Sequence, residues 1–297
     1  MAAETATNTC AELLASASIE VTPREPGVAE TLREHFAAGT DVHVTFLPDD
    51  SADKAAETCV RLRQAGFNPI PHLTARNFLG RDALESQLAR LSAQAQVTRA
   101  LVIAGDVDRP RGPYSASVEI IETGLLERSG VQTVLIAGHP EGHPAVGDAV
   151  LDAALSDKIA SARRHGLQPE IVTQFCFEAE PIARWLARLR ASGIDVPVRI
   201  GVAGPASTAS LLKFAMRCGV GNSLRALRLR GSAIGKLMGD TTPDALLADL
   251  AKTQRAQDLG PIAGIHLYMF GGVRKTAQWL NGARALRESA PRRIAGQ

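Results

Sequence analysis

No sign of charge dominates this chain. Its 297 residues include 33 Lys and Arg against 31 Asp and Glu, a formal net charge of +2. No block of like charge stands out, so the electrostatic footprint of a nucleic-acid-binding protein is missing. The small cluster Arg225, Arg228 and Arg230 reads as a solvated helix face. Cysteine is scarce: Cys10, Cys59, Cys176 and Cys218 contain no CxxC pair. That removes zinc-ribbon and thioredoxin-like readings and fits a reduced, intracellular setting. No apolar run is long enough to cross a bilayer. The opening residues lack the basic-then-apolar order of a signal peptide. A cytoplasmic protein without membrane or nucleic-acid partners is expected.

What is present is a repeat. Strand-like runs occur at 18–23 (SIEVTP), 41–48 (DVHVTFLP), 68–74 (NPIPHLT), 99–105 (RALVIAG), 133–140 (TVLIAGHP), 170–177 (EIVTQFCF), 197–204 (PVRIGVAG) and 262–270 (IAGIHLYMF). Between them, apolar residues recur at helical spacing. Ala52, Ala55, Ala56, Cys59 and Leu62 form one stripe. Leu84, Leu88, Leu91 and Ala95 form a second, and Ile182, Trp185, Leu186 and Leu189 a third. Glycines punctuate the ends of the helical segments. Asp82 with Glu85 reads as a capping box, and Thr242-Pro243 as an N-cap followed by a first-turn proline. Eight strand-then-helix units predict a closed (β/α)8 TIM barrel, a single domain over residues 1–297. The alternative, a doubly wound sheet, normally carries a GxGxxG turn after its first strand, and EVTPREPG has none. The stretch 219–240 is surplus to the repeat and is expected to add a helical segment.

In such a barrel, function gathers at the C-terminal ends of the strands. The polar residues there are Glu20, Thr45, His72, Thr74, Asp106, His139, Glu141, His143, Gln174, His266 and Tyr268. Each has a plainer reading. Asp106 caps a loop as readily as it contacts a ligand. His72 and His266 read equally as hydrogen-bonded core histidines, and Tyr268 as a packed aromatic. The glycines of GVAGPAS (201–207) make either a phosphate-binding turn or simply a tight one. Glu20 and Gln174 stand out because each interrupts an apolar run, where a polar group needs a partner. No lysine falls within the eight strands, which counts against a Schiff-base aldolase. A metal-dependent hydrolase would draw on His72, His139, His143, Glu20 and Asp106, but no HxH pair ends a strand.

Five stretches, in order along the chain, carry a family resemblance: SIEVTPR, PIPHLTARN, IAGDVDRP, GHPEGHP and IVTQFCFE. They resemble the first-strand glutamate motif, the PHLTC, RGDxP and YPExHP motifs, and the ITQFFFD motif of the methylenetetrahydrofolate reductase family. The similarity runs from about residue 18 to about 280. It implies a flavin-binding barrel that interconverts 5,10-methylenetetrahydrofolate and 5-methyltetrahydrofolate in one-carbon metabolism. FAD would be the cofactor, NADH or NADPH the co-substrate, and a homo-oligomer is compatible with it. By the resemblance, Glu20 is the general acid and Asp106 lies by flavin and pterin. Gln174 contacts the pterin, Phe175 and Phe177 shape the wall, and Tyr268 lies near the folate. Thr45, His72, Gly105, His139, His143 and Lys158 fall at flavin-contacting positions. The chain departs from the pattern at Ala104, where the family has arginine, at His139, where it has tyrosine, and at Gly271-Gly272 after the last strand. Other readings stay open at this point: direct hydride transfer from NAD(P)H without flavin, a pterin-binding methyltransferase or binding barrel, and the metal-dependent hydrolase.

Overall fold

The computed structural model describes residues 13–218, 240–256 and 259–288. Its strands in chain order are β1 (Ser18–Val21), β2 (Asp41–Val44), β3 (Asn68–Thr74), β4 (Arg99–Ile103), β5 (Thr133–Gly138), β6 (Gln168–Thr173), β7 (Val198–Ala203), β8 (Ala206–Ser207), β9 (Asp240–Thr241) and β10 (Ile262–Tyr268). β1 to β7 and β10 close into a parallel barrel, with β10 returning to β1 through Ser18↔His266. The fold is the expected (β/α)8 TIM barrel. β8 and β9 form a small antiparallel ribbon beside it. The helical segment expected around 219–240 lies outside the described residues up to 239, and Asp240 belongs to β9.

The helices are α1 (Val28–His35), α2 (Ala52–Gln64), α3 (Arg81–Ala95), α4 (Ser117–Glu122), α5 (Leu125–Arg128), α6 (Asp148–Arg164), α7 (Ala179–Ala191), α8 (Thr208–Cys218), α9 (Asp244–Ala256) and α10 (Val273–Glu288). None among the described residues is long and apolar enough to cross a membrane. The predicted stripes are the buried faces: Leu62 of α2, Leu84, Leu88 and Leu91 of α3, and Ile182, Trp185 and Leu186 of α7 are at most 3% exposed. They pack on the outward strand residues Ile19, Val42, Val134, Ile136, Val198, Ile200, Ile265 and Leu267 in one continuous core. Burying each such side chain contributes about 1.5–3 kcal/mol.

Two cap assignments are corrected. α3 starts at Arg81 with Gly80 as its N-cap, so Asp82 lies in the first turn and caps nothing. There its charge still complements the helix dipole. In α9, Pro243 is itself the cap, its carbonyl accepting the first bond from Leu247 N at 3.0 Å. The strands are also shorter than the apolar runs. β6 stops at Thr173, so Gln174, Phe175 and Phe177 belong to the connection beyond it. There the Phe175 N–H donates to Gln174 Oε1 at 3.1 Å, while the N–H groups of Gln174 and Cys176 on either side still reach Gly138 O and Gly201 O.

The inward faces fill the lumen in layers. At the N-terminal end, Arg99 bridges Asp41 and Glu170, with 2.7 Å to the latter. Arg199 donates to Glu170 Oε1 at 2.9 Å and to the carbonyl of Ser16. Above this, Ile70, Leu101, Leu135 and Val172 form an apolar plug on one side. On the other side sit three histidines, His43, His72 and His266.

Candidate active site

Side chains two apart on a strand share a face. β1 therefore directs Ser18 and Glu20 together into the lumen. Ser18 Oγ pairs with His266 Nδ1 at 2.9 Å, and His266 Nε2 lies 3.6 Å from Glu20 Oε2. His266 is 1% exposed and the Glu20 side chain 18% exposed, so the carboxyl reaches the open mouth from a buried footing. His43, on β2, has its ring 4.3 Å from His266 and its Nδ1 3.3 Å from His72 Nε2. Burial pushes His72 down to about 4, against the opposing pull of the Glu20 charge. Burial also holds His43 well below the usual range, helped by neighbouring histidines and by Arg199 and Arg99. This side of the mouth thus sets the Glu20 carboxyl beside His266, with His43 and His72 held neutral by burial.

An aromatic wall adjoins this group, with the Tyr268 ring 4.8 Å from that of His266. Phe175 is buried and meets Phe177, Tyr268 and Phe270 edge to face, with ring centroids 5.6, 5.3 and 4.9 Å away. Phe270 stacks on Phe214 of α8 at 4.1 Å. The Tyr268 hydroxyl donates to the Thr173 carbonyl at 3.0 Å, which fixes the ring across Gly201. A Cβ at Gly201 would meet Thr173 O at 2.2 Å and Tyr268 Cε2 at 2.9 Å, so this wall needs glycine there. Sequence reasoning missed Phe214 and Phe270. Phe270 ends the last apolar run and is within reach of the strand-end argument. Phe214 is one apolar residue on an amphipathic helix, and only α8's docking brings it here. Gln174 stands at the end of the same wall. Its Oε1 accepts from Phe175 N, and its Nε2 has no partner among the described residues.

The third group gathers at β5. His139 and His143 follow that strand in a loop, their rings perpendicular and 5.5 Å apart. Lys158 approaches from α6. Burial pushes His139 to about 4 and Lys158 to about 8, and Lys158 forms no ion pair among the described residues. Thr45 Oγ1, just after β2, and Asn77 Nδ2, after β3, are buried without partners among the described residues. Gly105 turns the chain after β4 with φ +96, its α-carbon side packed on Asn77 and Thr74. Asp106 follows it exposed, with no described residue holding its carboxylate. His143 is likewise exposed. Cys176 is no nucleophile: burial, then Glu141, pushes its thiol well above the usual range. Among the described residues, no group of three His, Cys, Asp or Glu is arranged to hold a metal ion.

Comparison with known proteins gives these positions a family. The model of the methylenetetrahydrofolate reductase family matches residues 8–222. A 5,10-methylenetetrahydrofolate reductase of Pectobacterium carotovorum subsp. carotovorum is 29% identical over 158 residues, covering 51% of this chain and 49% of that one. The chain spans about half the length of the curated relative it matches. Among solved structures, a dihydropteroate synthase from Thermus thermophilus aligns over 91% of this chain and 93% of its own, at 17% identity and a TM-score of 0.46. A 3-dehydroquinate dehydratase from Aquifex aeolicus aligns over 91% and 97% at 11% identity and the same score. Likeness at that level does not bear on function. The match of the family model to most of the chain does, and by it the protein belongs to the methylenetetrahydrofolate reductase family.

Proposed function

We propose that the protein interconverts 5,10-methylenetetrahydrofolate and 5-methyltetrahydrofolate, with FAD as cofactor and NADH or NADPH as co-substrate. The observation that carries this reading is the mouth itself. The Glu20 carboxyl stands 3.6 Å from buried His266, in the field of His72, and the aromatic wall beside them ends in the Gln174 carboxamide.

Opening the five-membered ring of the folate breaks a carbon–nitrogen bond, and the departing nitrogen needs a proton. Glu20 delivers it and is left as carboxylate. The His266 Nε2 position, 3.6 Å away, is suited to donate a hydrogen bond to that carboxylate. The methylene carbon, now an iminium, accepts hydride and becomes the methyl group. Gln174 offers a donor without charge to the pterin edge, which presents adjacent donors and acceptors. Phe175, Phe177 and Tyr268 give the flat ring system an apolar face. Asp106, exposed at the rim, is assigned to the same pterin and flavin neighbourhood.

The rim of β2 to β5 fits FAD by its donor set. Among the described residues, Thr45 Oγ1 and Asn77 Nδ2 lack partners, and Lys158 is a partly buried cation without a counter-charge. His72, His139, His143 and the Gly105 turn complete the residues that would hold it. When bound, the flavin supplies two-electron chemistry between nicotinamide and folate. A second reading, direct hydride transfer from NAD(P)H to folate, is favoured by Ala104 and His139 standing where the family has arginine and tyrosine. The visible absorption spectrum of the purified protein separates the two. A yellow protein that releases FAD on denaturation supports the first. A colourless protein that takes up no FAD yet reduces the folate with NAD(P)H supports the second. Folate reduction in neither form overturns both.

A further inference from the structure

One imidazole in the lumen has no part in the proposed chemistry. His43 is wholly buried, its Nδ1 meets His72 Nε2 at 3.3 Å, and its own Nε2 has no partner among the described residues. A hydrogen bond between two neutral imidazoles contains a single proton, and the ring that accepts must carry its proton on its other nitrogen. Two arrangements are therefore available. If His72 donates, His43 carries its proton on Nε2. That leaves a buried N–H without an acceptor, in the positive field of Arg199 and Arg99. If His43 donates from Nδ1, a bare lone pair at Nε2 occupies that field instead, which the positive charge favours. His72 then accepts at Nε2 and keeps its proton on Nδ1. No described residue takes His72 Nδ1, so that nitrogen is the one left for a bound molecule.

We infer that His43 is a positioning residue that locks His72 in the Nδ1–H tautomer. The mouth thereby presents an N–H donor to the ligand. It selects an acceptor there, such as a ring carbonyl or an unprotonated ring nitrogen of a pterin or flavin. The choice of ligand rests on the reductase reading; the tautomer does not.

The test is a long-range proton–nitrogen correlation spectrum of the full chain labelled with nitrogen-15 histidine at neutral pH. His72 is assigned by the signal that His72→Gln removes. The expected result is His72 protonated on Nδ1 in the parent protein. His43→Asn places an amide N–H near the lost Nδ1 and retains that tautomer. His43→Leu removes the donor, and His72 shifts toward Nε2–H. An Nε2–H tautomer in the parent overturns the inference without recourse to any variant. So does an unchanged Nδ1–H signal in a folded His43→Leu protein. No turnover enters the measurement, so an inactive protein with the expected tautomer would count against the reductase reading alone.

Discussion

The two ends of the barrel lumen are both polar, and they are polar in opposite ways. At the N-terminal end, Asp41, Arg99, Glu170 and Arg199 satisfy one another, and each arginine has at least two acceptors. At the C-terminal end, Thr45, Asn77, His43, Lys158 and Gln174 keep atoms without partners among the described residues. The same strands supply both ends, often only a few residues apart. Asp41 and His43 lie on β2, and Thr45 directly follows it. A buried charge is tolerable when paired and hydrogen-bonded. An unpaired buried polar atom costs about 1–3 kcal/mol. Within the lumen that cost falls at the C-terminal side, on His43, Thr45 and Asn77, whereas the paired end closes the barrel.

Substitutions at the two ends should therefore separate activity from stability. Glu20→Gln is expected to lower folate turnover about 10²–10⁴-fold while leaving thermal unfolding unchanged; normal turnover would remove Glu20 as the acid. Glu170→Gln, at the other end, strips both arginines of a carboxylate. It is expected to lower unfolding free energy by about 3 kcal/mol in urea titration, with turnover per folded molecule retained. A lost activity without lost stability there would break the contrast.

Acid sharpens it further. His43, His72 and His139 titrate below their unfolded value, the latter two near 4. Between about pH 6.5 and 4 the unfolded chain binds more protons than the folded one, so stability falls as pH drops through that window by a few kcal/mol in sum. Urea midpoints measured across it should fall less steeply in His43→Leu than in the parent. The smallest effect is expected at Gln174→Leu. Removing one neutral hydrogen bond should weaken folate binding about five- to tenfold with flavin content unchanged. Equal folate affinity would end the carboxamide's role.

Much of this was legible in one dimension. Eight apolar runs with helical stripes between them point to a parallel α/β sheet, because strands buried on both faces read as continuous apolar segments, and the count of eight points to a closed barrel. The positions of Glu20 and Gln174 were legible for the converse reason: polar groups inside such segments demand an explanation. His43 was not, since in DVHVTFLP it looks like any histidine beside valines, and its partners His72 and His266 come from β3 and β10. The strand ends were overestimated because apolarity continues past the hydrogen-bonded ladder, as in Phe175 to Phe177. Local side-chain bonds such as Gln174 to Phe175 are invisible to periodicity.

The sequence by itself thus determined the fold, the end of the barrel to inspect, and the family, because these depend on residue type and spacing. Only the tertiary structure decided which polar atoms pair and which stay open. Arg99 bridges Asp41 and Glu170 across the lumen, while Lys158 finds no carboxylate among the described residues. That outcome depends on which inward positions of different strands share a layer. The stagger of a closed barrel sets those layers, and no single strand encodes them.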